Sequence, residues 1–194
     1  MNNRTGILSR DEEKDCLVRA KQGNRKAYGQ IVEAHRERLY CAALGIMRNH
    51  EDARDMSQDA FVRAFNSLDR FDTDRPFYPW IYRILRNLCM DSLKRHGPKR
   101  SISLDALVED AGDRFAVEDS DVRDSLQREQ MIGHLRRAIE ELKPEFREIV
   151  LMKHIDGMAY KDIAEALDIP MGTVMSRLFH ARKALAQLME AHRP

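Results

Sequence analysis

Cysteine, proline and glycine are scarce in this chain of 194 residues, which contains three cysteines, six prolines and nine glycines. Cys16, Cys41 and Cys89 are odd in number and lie far apart within apolar helical patterns, which argues against a disulfide framework and favours a reducing compartment. Long periodic segments continue with few interruptions. Together with 34% charged residues, this composition predicts a mostly helical protein with exposed helices.

Long hydrophobic runs are also missing. The N-terminal sequence MNNRTGILSRDEE lacks the apolar run of a secretory signal, and no window of the chain approaches the length of a membrane-spanning helix. We therefore expect a cytoplasmic protein with no direct membrane insertion.

A large excess of one charge is absent from the chain as a whole, whose formal net charge is +1. Locally, however, the charges separate. Six basic residues accompany one acidic residue between Trp80 and Arg100, whereas eight acidic residues accompany two basic ones between Ile102 and Asp124. A basic segment joined to an acidic one indicates a nucleic-acid site.

Signatures of catalysis and of metal binding are weak. The sequence His50-Glu51-Asp52-Ala53-Arg54 begins like the zinc motif H-E-x-x-H, but Arg54 stands where the second histidine ligand must lie. No Cys-x-x-Cys pair and no glycine-rich phosphate loop occurs. We expect no catalytic residues, no metal, no cofactor and no small-molecule substrate.

Capping residues and apolar periodicity predict four helices in the first half of the chain. Ser9, which precedes three acidic residues, begins the first helix, Gly23-Asn24 separates it from the second, and Asn49-His50 ends the second. The third helix is predicted at about 51–68. An aromatic-rich loop follows, and the proline at its end begins a fourth helix at about 79–95.

Composition then divides the chain into three parts. Gly97-Pro98 ends the fourth helix, and residues 97–125 are acidic, rich in Ser, Asp and Gly, and weakly periodic, as in a linker. We predict an all-α protein with two small helical domains, 1–96 and 126–194, joined by this flexible acidic linker.

The last two helices of the second domain are predicted to form a helix-turn-helix. Asp168-Ile169-Pro170 makes the turn, and Ala164 provides a small residue where the two helices cross. Val174 and Leu178 begin an apolar stripe that packs the second helix onto the first. An ordinary helical hairpin within a bundle is the alternative explanation of this pattern.

The opposite face of that last helix carries a phenylalanine, Phe179. If the helix lies in a major groove, Ser176 and His180 can hydrogen-bond to base edges and Phe179 can pack on a thymine methyl group. The alternative is that Phe179 makes a satellite core contact with the helix that begins near Leu126. Phosphate contacts are predicted for Arg177, Arg182 and Lys183.

A second candidate nucleic-acid site combines the aromatic loop with a basic arc on the fourth helix. Positive charge neutralises phosphates and aromatic rings stack on unpaired bases, which suits single-stranded or melting DNA. Trp80 is predicted to be buried, while base stacking and core burial remain open for the three rings of the loop. These rings are Phe71, Phe77 and Tyr78, and the basic arc consists of Arg83, Arg86, Asn87 and Lys94.

Four segments of the chain, in their order and spacing, resemble the small two-domain bacterial sigma factors of the extracytoplasmic-function (ECF) group. The segments are GNRKAYGQIV, DARDMSQDAFVRAF, FYPWIYRILRN and DGMAYKDIAEALDIPMGTVMSRLFHAR. The resemblance covers nearly the whole chain except the linker. It implies that the chain binds core RNA polymerase and promoter DNA, and that an anti-sigma factor holds it inactive.

The resemblance also implies roles for individual residues. Asp55, Gln58 and Phe61 match the surface that docks on the clamp helices of the largest polymerase subunit. The loop from Leu68 to Tyr78, with the basic arc after it, matches the part that melts the minus-ten promoter element and captures a flipped base. The second domain matches the reader of the minus-thirty-five element, with contacts expected from Tyr160, Thr173, Ser176, Arg177, Phe179, His180, Arg182 and Lys183.

Two positions depart from the family pattern. Met175 stands where the family often has a basic residue, and His180 where arginine is common. Since an arginine reads guanine bidentately and neither methionine nor histidine can, both departures affect which upstream sequence is recognised. The alternative to a sigma factor is a stand-alone helix-turn-helix regulator, which would bind duplex DNA without polymerase.

Overall fold

The computed structural model describes residues 8–96 and 122–191. The chain divides into two compact units, Met1–Ser101 and Ile102–Pro194. In the ranges that the structure describes, the regular elements are helices and there is no β-strand, which confirms the all-α prediction. Within the same ranges, no helix is both long enough and apolar enough to span a membrane. Most of the predicted linker, residues 97–121, lies outside the described residues.

Helices α1 and α2 begin at the caps that the sequence predicts. Helix α1 spans Arg10–Lys21, and its cap residue Ser9 exchanges two hydrogen bonds with Glu12 in a capping box. Helix α2 spans Arg25–Met47 and is capped by Asn24, whose side chain accepts a hydrogen bond from the Ala27 N–H at 3.2 Å.

Helix α3 spans His50–Asn66 and begins after Asn49, whose side chain accepts the Asp52 N–H at 3.0 Å. The predicted end at residue 68 was two residues too late, because the chain tightens at Leu68–Arg70 into a turn of 3₁₀-helix. Leu68 is nevertheless buried, which explains why it continued the apolar pattern.

Helix α4 spans Phe77–His96 and therefore begins two residues before the predicted start at Pro79. A proline is tolerated in the first helical turn because the N–H groups there have no partner within the helix. The earlier start places Phe77 and Tyr78 in the helix rather than in the loop. Helix α4 packs against both α2 and α3.

The second unit contains four helices among its described residues. Helix α5 spans Val122–Glu141, and α6 spans Pro144–Val150 and continues into one turn of π-helix at Leu151–Ile155. The helix-turn-helix consists of α7, Tyr160–Leu167, and α8, Met171–Ala191. Helix α8 packs against α5, α6 and α7.

The predicted apolar stripe of α8 lies toward the core. Val174, Leu178 and Ala181 are fully buried, and Leu185 and Leu188 farther along the helix are half-buried. The buried residues of α7 are Ile163, Ala166 and Leu167, whereas Ala164, predicted at the crossing, is half-buried.

Candidate protein-docking and nucleic-acid interfaces

Helix α3 presents an exposed face that mixes acid, amide and aliphatic groups. Asp55, Gln58, Asp59 and Val62 lie together on this surface at the spacing of successive helical turns, and Val62 is 58% exposed. We call these four residues the docking face. The face combines hydrogen-bonding groups with an exposed apolar side chain, as contact surfaces for another protein do.

The predicted contribution of Phe61 to this face is wrong. Phe61 is only 8% exposed, because it lies on the same side of the helix as the buried residue Ala64. The Tyr28 hydroxyl also donates a hydrogen bond to the Phe61 carbonyl oxygen at 2.6 Å, and burial raises the pKa of Tyr28. Phe61 therefore belongs to the packing between α2 and α3.

Helix α4 carries the predicted basic arc on its outer surface. Arg83, Asn87 and Lys94 are exposed and Arg86 is half-buried. The opposite face holds Ile81, Leu85 and Leu88 in the core. The structure thus brings the four residues of the basic arc to one side of the helix, where they are accessible to a polyanion.

Base stacking and core burial were both open for the three loop rings, and the structure favours core burial. Phe71, Phe77 and Tyr78 are all buried. The Phe71 ring lies 4.6 Å from the ring of Trp80 and 5.7 Å from that of Phe77, centre to centre. The guanidinium of Arg38 lies 3.3 Å from the centre of the Tyr78 ring. Trp80, predicted to be buried, is half-buried in this cluster.

A buried ion pair, which the sequence pattern did not reveal, lies beside these rings. The Glu13 carboxylate contacts Nε2 of His35 at 2.7 Å, and both side chains are almost fully enclosed. Burial tends to raise the pKa of Glu13, but hydrogen bonding and charge from His35, the charge of Arg10 and the Phe77 backbone N–H together lower it below its ordinary value. Glu13 thus ties the start of α4 to α1 and α2.

The loop before α4 is held by basic side chains of α1. Lys14 Nζ lies 2.5 Å from Asp74 Oδ1, and Arg10 donates to the Asp74 carbonyl oxygen at 2.6 Å. Lys21 donates to the Phe71 carbonyl oxygen at 2.8 Å. The hydrogen bond and charge of Lys14 lower the pKa of Asp74. Helix α1 therefore fixes the loop at both ends.

In the second unit, the turn of the helix-turn-helix forms at the predicted residues. Asp168 adopts a left-handed conformation with φ of 55°, and the Ile169 N–H donates to the Ala164 carbonyl oxygen at 3.0 Å. The Pro170 carbonyl oxygen accepts the Thr173 N–H at 2.9 Å and begins α8. These bonds close α7 and start α8 within three residues, as a tight helix-turn-helix requires.

The outer face of α8 is open. Phe179 is 63% exposed, so the alternative of a satellite core contact for this ring is wrong. Its ring centre lies 5.4 Å from that of His180, with the two rings nearly perpendicular. Ser176, Arg182 and Lys183 are exposed as well, and Thr173 and Arg177 are half-buried at one flank.

Tyr160 begins α7 and is half-buried. Lys153 lies over its ring with Nζ 5.1 Å from the centre, a cation–π distance. Of the three cysteines, Cys16 and Cys89 are buried and Cys41 is half-buried. No group of three candidate metal ligands occurs within residues 8–96 and 122–191.

Comparison with protein families places two known regions on this chain. Residues 31–98 match Sigma-70 region 2, and residues 133–185 match Sigma-70, region 4. The first match covers most of α2 together with α3 and α4, and the second covers the helix-turn-helix. The candidate interfaces of both units therefore lie within matched regions.

Several characterised proteins are similar over nearly their whole length. The ECF RNA polymerase sigma factor SigW of Bacillus subtilis is 30% identical, with 89% of this chain and 94% of that protein aligned. The ECF RNA polymerase sigma-E factor of Escherichia coli is 31% identical, with 87% and 90% aligned. The RNA polymerase sigma-H factor of Pseudomonas aeruginosa is 26% identical, with 95% and 97% aligned.

Solved structures with a similar fold include two complexes. CnrH in complex with the cytosolic domain of CnrY is 28% identical to this chain, with a TM-score of 0.68 over 94% of this chain and 99% of that one. The sigma factor RpoE in complex with the anti-sigma factor NepR from Bartonella quintana is similar in fold, with 22% identity and a TM-score of 0.62 over 87% of this chain and 99% of that one.

Proposed function

Because this chain belongs to the ECF group of RNA polymerase sigma factors, we propose that its two helical units divide promoter recognition between them. A sigma factor binds core RNA polymerase and directs it to promoters, and it is not itself an enzyme. The proposal concerns which residues carry these contacts. In it, residues 1–96 dock on polymerase and open the minus-ten element, residues 97–125 are the linker, and residues 126–194 read the minus-thirty-five element.

The docking face of α3 is the proposed contact with polymerase. Gln58 offers both a hydrogen-bond donor and an acceptor, and Asp55 offers a charged acceptor to basic groups of a partner helix. Val62, which is 58% exposed, provides the apolar contact that Phe61 cannot make from the core. Burial of this valine against the polymerase clamp would remove apolar surface from water.

The basic arc of α4 is the proposed contact with the minus-ten element. Arg83 and Lys94 neutralise phosphates of the opened strand, and Asn87, with both donor and acceptor groups, hydrogen-bonds to an unpaired base edge. The buried rings support the same surface indirectly, because their packing against Trp80 fixes the loop from which α4 starts.

The observation that carries the assignment of the second unit is the exposure of Phe179 beside Ser176 and Lys183 on the second helix of a helix-turn-helix. In that motif the second helix lies in the major groove, with base contacts from its N-terminal half. Arg177, Arg182 and Lys183 hold phosphates, and Thr173, His180 and Tyr160 complete the proposed contacts.

We further propose that an anti-sigma factor controls this chain. We also propose that the chain itself acts in the cytoplasm, together with polymerase. Support comes from the fold shared with a sigma factor solved in complex with an anti-sigma factor. Exposed apolar side chains such as Val62 and Phe179 are surfaces that such a protein would cover in the inactive state.

The experiment is run-off transcription from a library of random promoters, with purified chain and core polymerase. We expect promoter-specific transcripts only when both are present.

A Gln58→Ala, Val62→Ala double variant should bind core polymerase about tenfold or more weakly, because it loses two central contacts. Val18→Ala, which truncates an exposed valine on α1, is the matched control and should bind normally.

Undiminished binding of the double variant, measured by fluorescence anisotropy with labelled chain, would remove the docking face from this role. Specific binding of duplex promoter DNA by the chain without polymerase would favour a stand-alone regulator instead.

A further inference from the structure

Three large apolar side chains lie exposed in a row along the first half of α8. Met171 is 54% exposed, Met175 is 52% exposed and Phe179 is 63% exposed. They are four residues apart, so each lies about 6 Å farther along the helix than the one before it, on neighbouring positions of one flank. We call these three residues the methionine stripe.

The stripe is separate from the packed face of the helix. Val174, Leu178 and Ala181 already fill the contact with the rest of the unit and are fully buried. A continuous exposed apolar row on a small helical unit marks an interaction site, whereas a scattered apolar residue needs no explanation. Among the proposed minus-thirty-five contacts, only Phe179 belongs to this row.

The charges around the stripe identify the chemistry of its partner. From Met171 to Met189 the sequence of α8 contains no acidic residue, but it contains Arg177, Arg182 and Lys183. Helix α8 therefore combines this apolar row with basic side chains, two of which lie near Phe179, and a DNA groove needs both, with phosphates at its edges and base edges at its centre. In the major groove, the apolar group that bases display is the C5-methyl of thymine.

We propose that Met171 and Met175 are specificity-determining residues that read thymine C5-methyl groups in the upstream promoter element, next to the contact of Phe179. Methionine suits this task because its flexible thioether chain adapts to an apolar surface without needing a hydrogen-bond partner. The stripe spans about 12 Å along the helix, and base pairs rise about 3.4 Å, so the methyl groups read lie within about four base pairs. This inference rests on the proposed role of α8 in the second unit.

Replacement of thymidine by deoxyuridine tests the inference, because it removes one methyl group and leaves all base-pairing groups in place. Holoenzyme made from the full chain and core polymerase is titrated with promoters selected in the run-off experiment, with one upstream thymidine replaced at a time. At a contacted position we expect binding to weaken about three- to fourfold, the factor for exposing one buried carbon group. In the Met171→Ala, Met175→Ala double variant, the replacement should have almost no effect at the positions that the methionines read, whereas a thymidine read by Phe179 should stay sensitive.

Met131→Ala is the matched control, since Met131 is equally exposed but lies on α5. It should keep the full sensitivity to deoxyuridine. Three results would overturn the inference: selected promoters without thymine in the upstream element, promoters insensitive to deoxyuridine, or full sensitivity that persists at every sensitive position in the double variant. Failure of the proposed function is distinguishable, because binding would then be independent of the upstream element even with normal thymidine.

Discussion

At the scale of single residues, the carboxylate of Glu13 joins three helices of the first unit. It accepts from His35 on α2 and from the Phe77 backbone N–H at the start of α4, and its own helix is α1. Its pKa is lower in the folded chain than the ordinary value of 4.5, so it contributes stability above that value. That contribution is lost as the pH falls through the folded pKa.

We therefore expect Glu13→Gln to destabilise the first unit by about 1.5–3 kcal/mol at pH 7, the range for a hydrogen bond to a charged group. The difference from the unaltered chain should shrink as the pH falls below about 4.5, where Glu13 of the unfolded chain is protonated, and through the lower pKa of the folded chain. Denaturant unfolding followed by the fluorescence of Trp80, the single tryptophan of the chain, measures this unit.

The exposed Glu33, which pairs with Arg36 on the same helix, offers the control. Glu33→Gln should change stability by less than about 0.5 kcal/mol, as surface pairs do. Equal loss of stability at pH 7 and at acidic pH in Glu13→Gln would contradict the electrostatic role of Glu13.

Sequence periodicity predicted some site residues well and others poorly, for a physical reason. On α8 the helical wheel separated Val174 and Leu178 from Phe179, since a regular helix fixes the direction of every side chain. In the loop before α4 no such rule applies, so the sequence left open whether Phe71 stacks on bases or packs in the core, where its ring contacts Trp80. The contact of Glu13 with His35 was not predicted, because the two residues lie on different helices.

At the scale of helices, the junction between α5 and α6 depends on one buried arginine. Arg147 donates from Nε to the Ile139 carbonyl oxygen at 3.0 Å, and its guanidinium also donates to the carbonyl oxygens of Glu140 and Leu142. These carbonyls lie in the last turn of α5 and just after its end, where the regular helical donors run out, although the Ile139 oxygen also accepts the Leu142 N–H at 3.3 Å. The side chain of α6 thus closes the end of α5.

Arg147→Met keeps most of the side-chain volume but removes the arginine donor from the carbonyl oxygens of Glu140 and Leu142, while Ile139 keeps the Leu142 N–H. We expect a loss of about 1–3 kcal/mol in the second unit, the cost of burying an unsatisfied polar group. Hydrogen exchange followed by mass spectrometry should show faster exchange in peptides that cover residues 139–150.

Arg137→Met is the control, because Arg137 is an exposed arginine on α5, the helix whose end Arg147 contacts. Arg147→Lys should restore only part of the protection, since one ammonium group cannot replace the fork of a guanidinium. Normal exchange in Arg147→Met would show that the end of α5 does not depend on this residue.

Helix positions were predictable wherever a cap residue marked an end. Ser9, Asn24 and Asn49 all accept the hydrogen bonds that their position in the sequence implied. The start of α4 was missed because it has no such signal: Pro79 suggested a first turn, whereas tertiary contacts of Phe77 begin the helix earlier. The predicted start of α5 at residue 126 was also too late, because the helix begins at Val122 without such a signal.

At the scale of the whole molecule, the formal net charge of +1 is the sum of basic and acidic surfaces that have different proposed partners. The basic arc and the cations of α8 are proposed to contact phosphates, while the docking face carries Asp55 and Asp59. Each phosphate contact releases counterions, so its loss should lower the salt dependence of promoter binding by a definite amount.

For holoenzyme bound to a selected promoter, we expect Lys94→Ala to reduce the slope of log affinity against log salt by about 0.7–0.9, the contribution of one phosphate contact. Affinity should weaken similarly for different promoter sequences, because phosphates carry no base information. Lys26→Ala, which changes an exposed lysine on α2, should leave the slope unaltered. Identical slopes for Lys94→Ala and the unaltered chain would place Lys94 away from DNA.

Because the loop before α4 is attached to α1, the N-terminal helix supports the start of the helix that carries the basic arc. Lys14 contacts Asp74 of that loop and Lys21 contacts Phe71, although neither lysine is assigned a contact with polymerase or DNA. Loss of these contacts would therefore resemble a strand-opening defect in an assay, while the docking face stayed intact. Genetic lesions in the first twenty or so codons would then be misread as faults of the DNA-binding surface.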